Sequence, residues 1–456
     1  MSKLSSLSSP EPTIEPALTR SPEAPAAEDR LQPTILPRPD HCVSRQQVWP
    51  NALKVLYRLH HSGYQALLVG GSVRDMLLGR EPKDYDIATD ATPEEVREVF
   101  RNCRLIGRRF RLAHVHFKDG IVEVATFRGS GSDPDGEDGD EARTPEGMVL
   151  RDNTFGTLEE DAFRRDFTVN ALYYNIADFS VVDYVGGVED LQAGRLRLIG
   201  DPESRYCEDP VRMLRAARFA AKLGFVIDPA TASPIPGLTH LLEDVPAARL
   251  FEEVNKLFLG GTSVATYQLL RRFRLFERLF PETAALLAQE EEHFPHTFLT
   301  RVFEDTDRRV ADGMPVTPAF LFAALLWHPL QGERRHLEGE GMNPEDALHK
   351  AASRVLRRQT RRVSLPKRFA EGVRDIWALQ ARMERARGKR VLRLMGNPRF
   401  RAAYDFLSLR GRSGEAEPEL VAWWKDLLDT PEGKRPAKLG LKPGGGRGRK
   451  GGRKPT

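Results

Sequence analysis

A chain of 456 residues with 40% hydrophobic and 29% charged residues has the composition of a globular protein and the length for about two to four domains. The formal net charge of +4 is small but unevenly distributed. Cys42, Cys103 and Cys207 lie far apart, which argues against a disulfide framework or a zinc site and favours a reducing cytoplasm. Because no apolar run could cross a bilayer and no secretory signal is recognisable, we expect no membrane span.

The first half of the chain alternates between helical and strand-like patterns. Residues 1–40 are rich in Ser, Pro, Glu and Ala and are predicted to be disordered, with ordered structure from about Val43. The predicted elements that follow are a helix at 51–61, a strand at 66–69, a helix at 73–78, a strand at 84–88, a helix at 93–100 capped by Thr92 and Glu95, and strands at 113–117 and 121–127. This alternation predicts a compact α/β domain.

The second half of the chain has helical apolar spacing from about residue 205 onward. The clearest predicted helices are 211–223, 246–258, 264–280, 317–327, 368–387 and 398–409. We therefore expect this half to be entirely α-helical.

Two segments have a biased composition that predicts no packed core. Residues 129–147 are rich in Gly, Asp and Glu; their spacing resembles no calcium loop, so a solvated loop is favoured over a metal site. Residues 434–456 contain nine Lys or Arg and no acid. Such a basic, disordered tail is typical of a nucleic-acid-binding arm, with a merely solubilising tail as the alternative.

The most informative motif is LVGGSVRDMLLGREPKDYDIAT, at residues 68–89. Asp84 and Asp86 flank Tyr85 on the predicted strand, so both carboxylates are expected on one face and Tyr85 on the other. Adjacent carboxylates repel each other unless a cation lies between them, and oxygen-only ligation suits Mg²⁺. Two such ions can activate an attacking hydroxyl and stabilise a leaving oxygen. A lone pair of this kind is weak evidence, because it is common in solvated turns.

A glycine pair in the same motif strengthens the interpretation. Gly70 and Gly71 lie where the predicted strand meets a helix, so backbone N–H groups there can approach a phosphate closely. Ser72 could add a hydroxyl donor and Arg74 a positive charge. The alternative is an ordinary glycine-rich turn with a structural pair between Arg74 and Asp75. The turn and the two aspartates together favour a catalytic site.

Glu123 is the candidate third metal ligand. Its neighbours Val122 and Val124 are expected to face the core, which leaves Glu123 on the opposite face of its strand. An exposed strand acid without a role is an equally good interpretation. Arg128, just beyond the strand, could contact a triphosphate.

A charged cluster occurs in EEDAFRRDFTVNALYY, at residues 159–174. Arg164 and Arg165 suit triphosphate oxygens, because arginine is permanently charged and forms paired hydrogen bonds. Asp166 could accept a hydrogen bond from a ribose hydroxyl or orient an arginine. Taken alone, the cluster is better explained as ion pairs at a helix end.

The last charged motif is YCEDPVRMLRAARFAAKLGF, at residues 206–225. Asp209 precedes a proline at a predicted helix start, and Asp209, Arg212 and Arg215 recur at every third position. Such Asp–Arg pairs can present a hydrogen-bonding edge to a nucleobase in place of a template. A ladder of surface salt bridges is the commoner use of this spacing.

In combination, these motifs resemble a known family. LVGGSVRDMLLG with DYD, RRDFTVNALYY and EDPVRMLRAARFAAKLGF resemble the class II nucleotidyltransferases, the bacterial poly(A) polymerases and CCA-adding enzymes of the DNA polymerase β-like superfamily. RNCRLIGRRFRLAHVHF (residues 101–117), PAFLFAALLWHPL, FRAAYDFLSLR and the basic tail resemble the poly(A) polymerase branch. The resemblance covers about residues 40–456. The acidic stretch 129–147 departs from the family's pattern.

The resemblance implies an α+β multidomain fold. An N-terminal polymerase β-like nucleotidyltransferase head with a small mixed sheet would be followed by all-α neck and body domains. The implied boundaries are a disordered segment at 1–40, the head at 41–200, the neck at 201–262, the body at 263–432 and an RNA-binding tail at 433–456.

The resemblance also implies roles for individual residues. Asp84 and Asp86 match the metal-binding catalytic acids, and Asp166 matches a further active-site aspartate. Nucleotide contacts are implied for Gly71, Arg74, Arg165, Arg212 and Arg215. Asp209 and Arg212 match the pair that selects the base.

Three functions follow as hypotheses. The first is a cytoplasmic poly(A) polymerase that uses Mg²⁺ and ATP to extend the 3′ ends of mRNA and other transcripts. The second is a CCA-adding enzyme acting on tRNA, which would share the catalytic residues but use CTP as well. The third is a non-catalytic RNA-binding protein, which would not need both Asp84 and Asp86.

Overall fold

The computed structural model describes residues 32–107, 111–129, 142–143, 149–151, 154–291 and 297–441. Within these ranges the strands are β1 (Thr34–Leu36), β2 (Ala66–Val69), β3 (Asp86–Thr89), β4 (Cys103–Ile106), β5 (Leu112–Phe117), β6 (Gly120–Thr126), β7 (Ala142–Arg143), β8 (Val149–Arg151), β9 (Leu172–Asn175), β10 (Val181–Asp183), β11 (Arg195–Leu196) and β12 (Val226–Ile227). Eight of these strands form one sheet in the order β1-β10-β9-β2-β3-β6-β5-β4. Because β3 and β6 are parallel and the other neighbours are antiparallel, the sheet is mixed, as predicted for the head.

The two faces of this sheet have different surroundings, because side chains alternate along each strand. Leu68, Ile87 and Val124 are buried in the main hydrophobic core. On the other face, Asp86 lies between its cross-strand partners Val69 on β2 and Glu123 on β6. The second face also packs, since Leu67, Val69 and Ala88 contribute to a smaller core there, and the two acids lie at one end of that face.

Five α-helices connect the strands of the head. They are α1 (Pro50–His61), α2 (Gly71–Leu77), α3 (Pro93–Val99), α4 (Leu158–Arg164) and α5 (Gly187–Gln192). Short 3-10 helices occur at Arg38–Asp40, Arg45–Gln47 and Thr168–Asn170. The predicted capping box of α3 is confirmed: the Thr92 hydroxyl accepts from the backbone N–H of Glu95, and the Glu95 carboxylate accepts from the N–H of Thr92.

The second half of the described chain is almost entirely helical, as predicted. Its helices are α6 (Pro202–Glu208), α7 (Val211–Leu223), α8 (Pro229–Ala232), α9 (Ile235–Leu238), α10 (Ala247–Phe258), α11 (Ser263–Arg272), α12 (Leu275–Leu279), α13 (Pro281–Glu291), α14 (Thr297–Ala311), α15 (Pro318–Leu325), α16 (Trp327–Gly339), α17 (Pro344–Arg362), α18 (Lys367–Arg385), α19 (Lys389–Met395), α20 (Phe400–Arg412), α21 (Pro418–Asp429) and α22 (Arg435–Lys438). The 3-10 helices are Thr239–Glu243 and Glu432–Lys434.

The main core continues from the head sheet into these helices. The rings of Phe258 on α10 and Phe303 on α14 stack with their centroids 4.8 Å apart. Farther along the chain, Trp377 on α18 is 1% exposed, and its indole N–H donates to the carbonyl of Ala323 on α15 at 3.0 Å. In the part of the chain that the structure covers, every helix is too short or too polar to span a membrane.

Several boundaries differ from the sequence-based predictions. Residues 34–36 were predicted to be disordered, but they form β1, since their backbone completes the sheet edge beside β10. The second half contains β12, which pairs with β11 of the head. The predicted helix 264–280 is divided into α11 and α12 at Arg274, whose φ of +59° interrupts the helix.

The two segments of biased composition are only partly described. Residues 433–441 were assigned to a disordered tail but contain α22, and the nearby Leu439 packs against a small core in the body. The rest of the tail and residues 1–31 lie outside the described residues. From the acidic stretch 129–147, the structure describes Gly129 and β7, which pairs with β8.

Candidate active site

The candidate site lies where β2 ends and β3 begins. Val69, the last residue of β2, pairs with Asp86, the first residue of β3, so Asp86 lies at the same sheet edge as Gly70 and Gly71. Gly70 has φ of +72°, a left-handed conformation that glycine adopts without steric cost, and it turns the chain into α2. The predicted meeting of the glycine turn and an aspartate is therefore present.

Asp84 occupies a different local structure from the predicted one. It lies two residues before β3, in an irregular segment, so strand alternation does not place its side chain. Tyr85 does point away from the acidic face, because its hydroxyl donates to the Gln47 carbonyl at 2.7 Å and its ring packs on the main core. Asp84 remains near enough to Asp86 to raise the pKa of that carboxyl.

The electrostatic environment of Asp86 is that of an uncompensated acid. Desolvation by the surrounding protein, together with repulsion from Glu123 and Asp84, raises the pKa of Asp86 to about 6, against the attraction of Arg165. The side chain is nevertheless exposed by surface area, so the carboxylate stays accessible although protein surrounds it. A set of oxygen ligands that repel one another fits a hard cation such as Mg²⁺.

Glu123 lies on the predicted face of its strand, but it does not form a three-acid cluster with Asp84 and Asp86. Val122 and Val124 are buried, and Glu123 lies on the opposite face, where its Oε1 is 3.3 Å from Nε2 of His114. Among the described residues, no three His, Cys, Asp or Glu side chains converge closely enough to hold a metal ion. The role of Glu123 as a third ligand stays a prediction.

Within the glycine turn, the predicted phosphate donors are engaged with the protein. The Ser72 hydroxyl donates to the Val69 carbonyl at 3.1 Å, so it stabilises the turn. Arg74 is 2% exposed, and it donates to Asp75 at 2.7 Å and to Asn170 at 2.5 Å. The alternative of a structural pair between Arg74 and Asp75 is therefore realised, and direct nucleotide contacts by Ser72 and Arg74 stay predictions.

Arg165 is held beside the turn by two buried residues. Its guanidinium donates to Asp161 Oδ2 at 2.8 Å, and its Nε donates to the Tyr173 hydroxyl at 2.9 Å. Although burial opposes the charge, Asp161 and Tyr173 raise the pKa of Arg165. A Cβ placed on Gly70 would lie 3.6 Å from Nη1 of Arg165, which puts the guanidinium next to the glycine turn. The structure thus brings Gly70, Asp86 and Arg165 together.

Asp161 was not singled out from the sequence. Its spacing of four residues before Arg165 on the predicted charged segment is the signal that could have found it. Arg164, at the end of α4, donates to the backbone carbonyl of Gly129, and the backbone N–H of Arg128 donates to Asp161 at 3.3 Å. These contacts fix α4 against the chain that leaves β6.

Asp166 orients an arginine, one of its two predicted roles. Its Oδ2 accepts from Arg215 at 2.6 Å, and its Oδ1 accepts from the backbone N–H of Phe167 and from Asn170. Burial alone would raise the pKa of Asp166, but Arg215 and these hydrogen bonds lower it to about 2. Asn170 accepts a hydrogen bond from Arg74 and donates one to Asp166, which pairs with Arg215. This chain of contacts links the glycine turn to the neck helix α7.

Asp209 and Arg212 each form an ion pair that the sequence analysis did not name, and their predicted role in base selection stays a prediction. Asp209 is extended and precedes α7, so it does not share the helical spacing of Arg212 and Arg215. Its Oδ2 accepts from Arg249 of α10 at 2.6 Å, whereas Arg212 donates to Glu208 at 2.9 Å. Arg249 is 40 residues from Asp209 in the sequence, so no local pattern could reveal this pair.

Three family comparisons agree with this architecture. The sequence matches the "Poly A polymerase head domain" over residues 66–197, the "Probable RNA and SrmB- binding site of polymerase A" over 224–287 and the "Polymerase A arginine-rich C-terminus" over 340–455. The first match contains the sheet edge with Gly70, Asp86 and Arg165.

Curated relatives are similar over most of their length. Poly(A) polymerase I of Escherichia coli O6:H1 is 52% identical over 409 residues, covering 89% of this chain and 88% of that protein. Poly(A) polymerase I of Salmonella typhi is 51% identical over 408 residues, with the same coverage. A CCA-adding enzyme of Bacillus pumilus is 36% identical over 249 residues, covering 55% of this chain and 60% of that enzyme.

Solved structures show the same fold at lower identity. A CCA-adding enzyme in complex with CTP has a TM-score of 0.51 and 21% identity, covering 88% of this chain and 89% of that chain. A tRNA nucleotidyltransferase with a primer tRNA and an ATP analogue has a TM-score of 0.50 and 22% identity, covering 84% of this chain and 99% of that chain. From the long, high-identity matches and the shared fold, the chain belongs to the poly(A) polymerase I family of the class II nucleotidyltransferases.

Proposed function

We propose that the chain adds AMP from ATP to RNA 3′ ends without a template, releasing pyrophosphate. The observation that carries this proposal is the 52% identity to a curated poly(A) polymerase I over 88% of that protein's length. The CCA-adding relative is less similar and is covered over only 60% of its length. Polyadenylation is therefore the better assignment, and CCA addition to tRNA is the second candidate.

The reaction is an attack of the RNA 3′ hydroxyl on the α-phosphate of ATP. Bound at Asp84 and Asp86, with Glu123 nearby, two Mg²⁺ ions would supply activation of the hydroxyl and charge stabilisation of the leaving pyrophosphate. The carboxylates of Asp84 and Asp86 would hold the metal ions at the sheet edge. The Gly70–Gly71 turn, which has no side chains, would leave room for the phosphates of ATP beside these ions. Positioning and electrostatic stabilisation supply most of the rate acceleration in such a reaction.

The arginines around the site would hold the nucleotide. Arg165 lies beside the turn with its orientation fixed by Asp161 and Tyr173, so its remaining N–H groups can meet triphosphate oxygens without reorganisation. Arg215 is oriented by Asp166, and Arg212 and Asp209 lie at the adjoining start of α7. We assign base selection to this neck region, with Arg249 as an added partner of Asp209.

The cellular role follows from the same assignment. RNA would be held through its phosphates by basic residues of the helical domains and the tail, so binding should weaken as salt rises. A template-independent A-tail on mRNA and other transcripts acts in RNA processing and decay.

Three cysteines without disulfides, Cys42, Cys103 and Cys207, fit the reducing conditions of the cytoplasm.

The test is nucleotide-by-nucleotide product sizing. A generic RNA and a tRNA lacking its terminal CCA are incubated with Mg²⁺ and each nucleoside triphosphate separately, and also with CTP and ATP together. Long extension with ATP alone on both RNAs is expected; a single C-C-A end made from CTP and ATP on the tRNA would transfer the assignment to the CCA-adding enzymes.

The variants that test the site are Asp84→Ala and Asp86→Ala. Both side chains are exposed, so the circular dichroism spectra of the two variants should match that of the unmodified protein. Incorporation of AMP should fall by about 10³-fold or more, because the acids that would hold the metal ions are removed. Full activity of either variant would show that the substituted acid does not hold the catalytic metal ions, whereas the non-catalytic hypothesis requires that the unmodified protein extends no RNA.

A further inference from the structure

A long groove runs between the two longest helices of the body, α17 and α18. Two concave sites lie end to end along it. One is lined by the last turns of α17 and the start of α18, including Arg361 and Arg374. The other is lined by the start of α17 and the end of α18, including Leu348 and Arg385, with Arg334 of α16 and Arg390 and Arg393 of α19 at its border. The helices are therefore antiparallel, and 19 residues in each give the groove a length of about 28 Å.

The floor of this groove is made of small and apolar side chains. Ala370, Ala378 and Ala381 follow one stripe of α18, and Leu348 and Leu356 lie opposite on α17. Because alanine side chains are short, the floor stays open to flat groups entering from solvent. The walls, in contrast, are strongly basic.

Exposed arginines line the groove along its whole length. They are Arg357, Arg361 and Arg374 at one end, and Arg382, Arg385, Arg390 and Arg393 at the other. In the ranges that the structure covers, none of these guanidinium groups has a hydrogen bond or ion pair with a protein acid. One acid, Glu345, lines the second end.

Arginines on the neighbouring stripe of α17 are arranged differently. Arg354 and Arg358 donate to Glu333 at 2.8 and 3.0 Å, and Arg362 lies 3.3 Å from Glu243. The same helix thus neutralises its arginines on one stripe and leaves them unneutralised on the stripe that faces the groove. Unpaired positive charges along a concave surface attract a polyanion.

One end of the groove adjoins the neck. The backbone N–H of Ser364, just after α17, donates to the carbonyl of Ala247 at the start of α10 at 2.9 Å. Two residues farther along α10, Arg249 pairs with Asp209. The end with Arg361 is therefore next to the helix that supports the proposed nucleotide site, and the end with Arg385 points away from it along the body.

We propose that the α17–α18 groove binds the single-stranded RNA segment upstream of the 3′ end, with its 3′ side at the neck. This inference rests on the proposed polyadenylation activity and assigns part of its RNA site. Guanidinium groups form paired hydrogen bonds with phosphates and stack on bases, and the alanine floor accepts base faces. RNA is favoured over an acidic peptide because the charges continue along the whole groove, as the phosphates of a nucleic acid do.

The experiment measures KM for a series of oligoadenylate primers of increasing length. The groove variants are R357Q/R361Q and R382Q/R385Q, and the control is R335Q/K350Q, which removes two exposed charges outside the groove. Primers too short to reach the groove should have the same kcat/KM with every variant. For long primers, the groove variants should raise KM about tenfold, and the slope of log Kd against log salt should fall by about 1.4 for two lost phosphate contacts.

A second variant tests the floor. A378E leaves every arginine in place but introduces an acid among the alanines, so it should weaken binding of long primers without changing activity on short ones. Thermal melting confirms that each variant is folded.

Two outcomes would overturn the inference. Equal effects of groove and control variants would show that only net charge matters, and unchanged KM for long primers with all groove variants would leave the groove to another partner, such as an acidic peptide. Failure of the proposed function itself is recognised separately, because the unmodified protein would then extend no primer of any length.

Discussion

Replacing Asp166 with asparagine is expected to destabilise the junction between head and neck. The side chain is 12% exposed and accepts hydrogen bonds from Arg215, Phe167 and Asn170. Asparagine has nearly the same shape and can still accept the backbone N–H of Phe167. It carries no charge, however, so Arg215 loses its counter-charge in a largely buried position.

The size of the effect follows from the pKa of Asp166. Its lowering from 3.8 to about 2 corresponds to about 2 kcal/mol of stabilisation of the charged form in the folded state. Breaking a fully buried pair costs roughly 3–5 kcal/mol, but Arg215 is 30% exposed, which reduces the cost. We therefore expect Asp166→Asn to lower the free energy of unfolding by about 2–3 kcal/mol at pH 7.

The pH dependence has a definite sign. Because the folded-state pKa is lowered, the stabilisation is present above the unfolded-state pKa of about 4 and is lost as the pH falls towards 2. The difference between the unmodified protein and Asp166→Asn should stay constant between neutral pH and about pH 5 and shrink below pH 4.

Urea unfolding followed by circular dichroism at several pH values measures this difference. Arg215→Gln and the double variant complete a mutant cycle, in which the double variant should lose less stability than the sum of the single variants. The KM for ATP should also rise in Asp166→Asn, since Arg215 is no longer oriented. Equal stability of the two proteins at pH 7, or a difference that persists unchanged at pH 3, would refute the reasoning.

Three further substitutions test other contacts. Tyr173→Phe removes a hydroxyl that joins Asp161 to Arg165, so we expect a loss of about 1–2 kcal/mol in urea unfolding and a raised KM for ATP with kcat preserved; an unchanged KM would contradict this role of Tyr173. Gly70→Ala has room for its Cβ but forces a non-glycine residue to φ of +72°, so the melting temperature should fall by an amount equivalent to about 1–2 kcal/mol. Gly187→Ala would place a Cβ 2.2 Å from the Thr168 carbonyl oxygen and should cost about 3 kcal/mol, whereas Gly237→Ala, with open space around it, serves as the control and should be nearly neutral.

Local patterns in the sequence were sufficient for elements whose structure depends on nearby residues. The predicted helix 211–223 is α7, and the strand 66–69 is β2, because apolar periodicity marks which face of each element is buried. The orientation of Glu123 followed from the alternation with Val122 and Val124. The position of Gly70 at a strand-to-helix turn was likewise encoded locally, since its left-handed backbone requires glycine.

Partners that lie far apart in the sequence were decided only by the tertiary structure. Asp209 was expected to share a helix face with Arg212, but it is extended and precedes α7, and it pairs with Arg249 of α10. Residues 34–36 looked disordered by composition but became a strand when β10 offered them an edge. Helical spacing identifies candidate neighbours within a helix, but it does not tell which helix or strand will pack beside it.

The charges of the active site show the same division. The sequence by itself determined that acids, glycines and arginines of the right types are present, and that they follow one another in the order of the family. Only the folded sheet decided that Arg165 lies beside Gly70 and Asp86 while Arg74 is buried against Asp75 and Asn170. The physical reason is that a side chain's role depends on which desolvated partners surround it, and those partners come from segments up to about a hundred residues away in the chain.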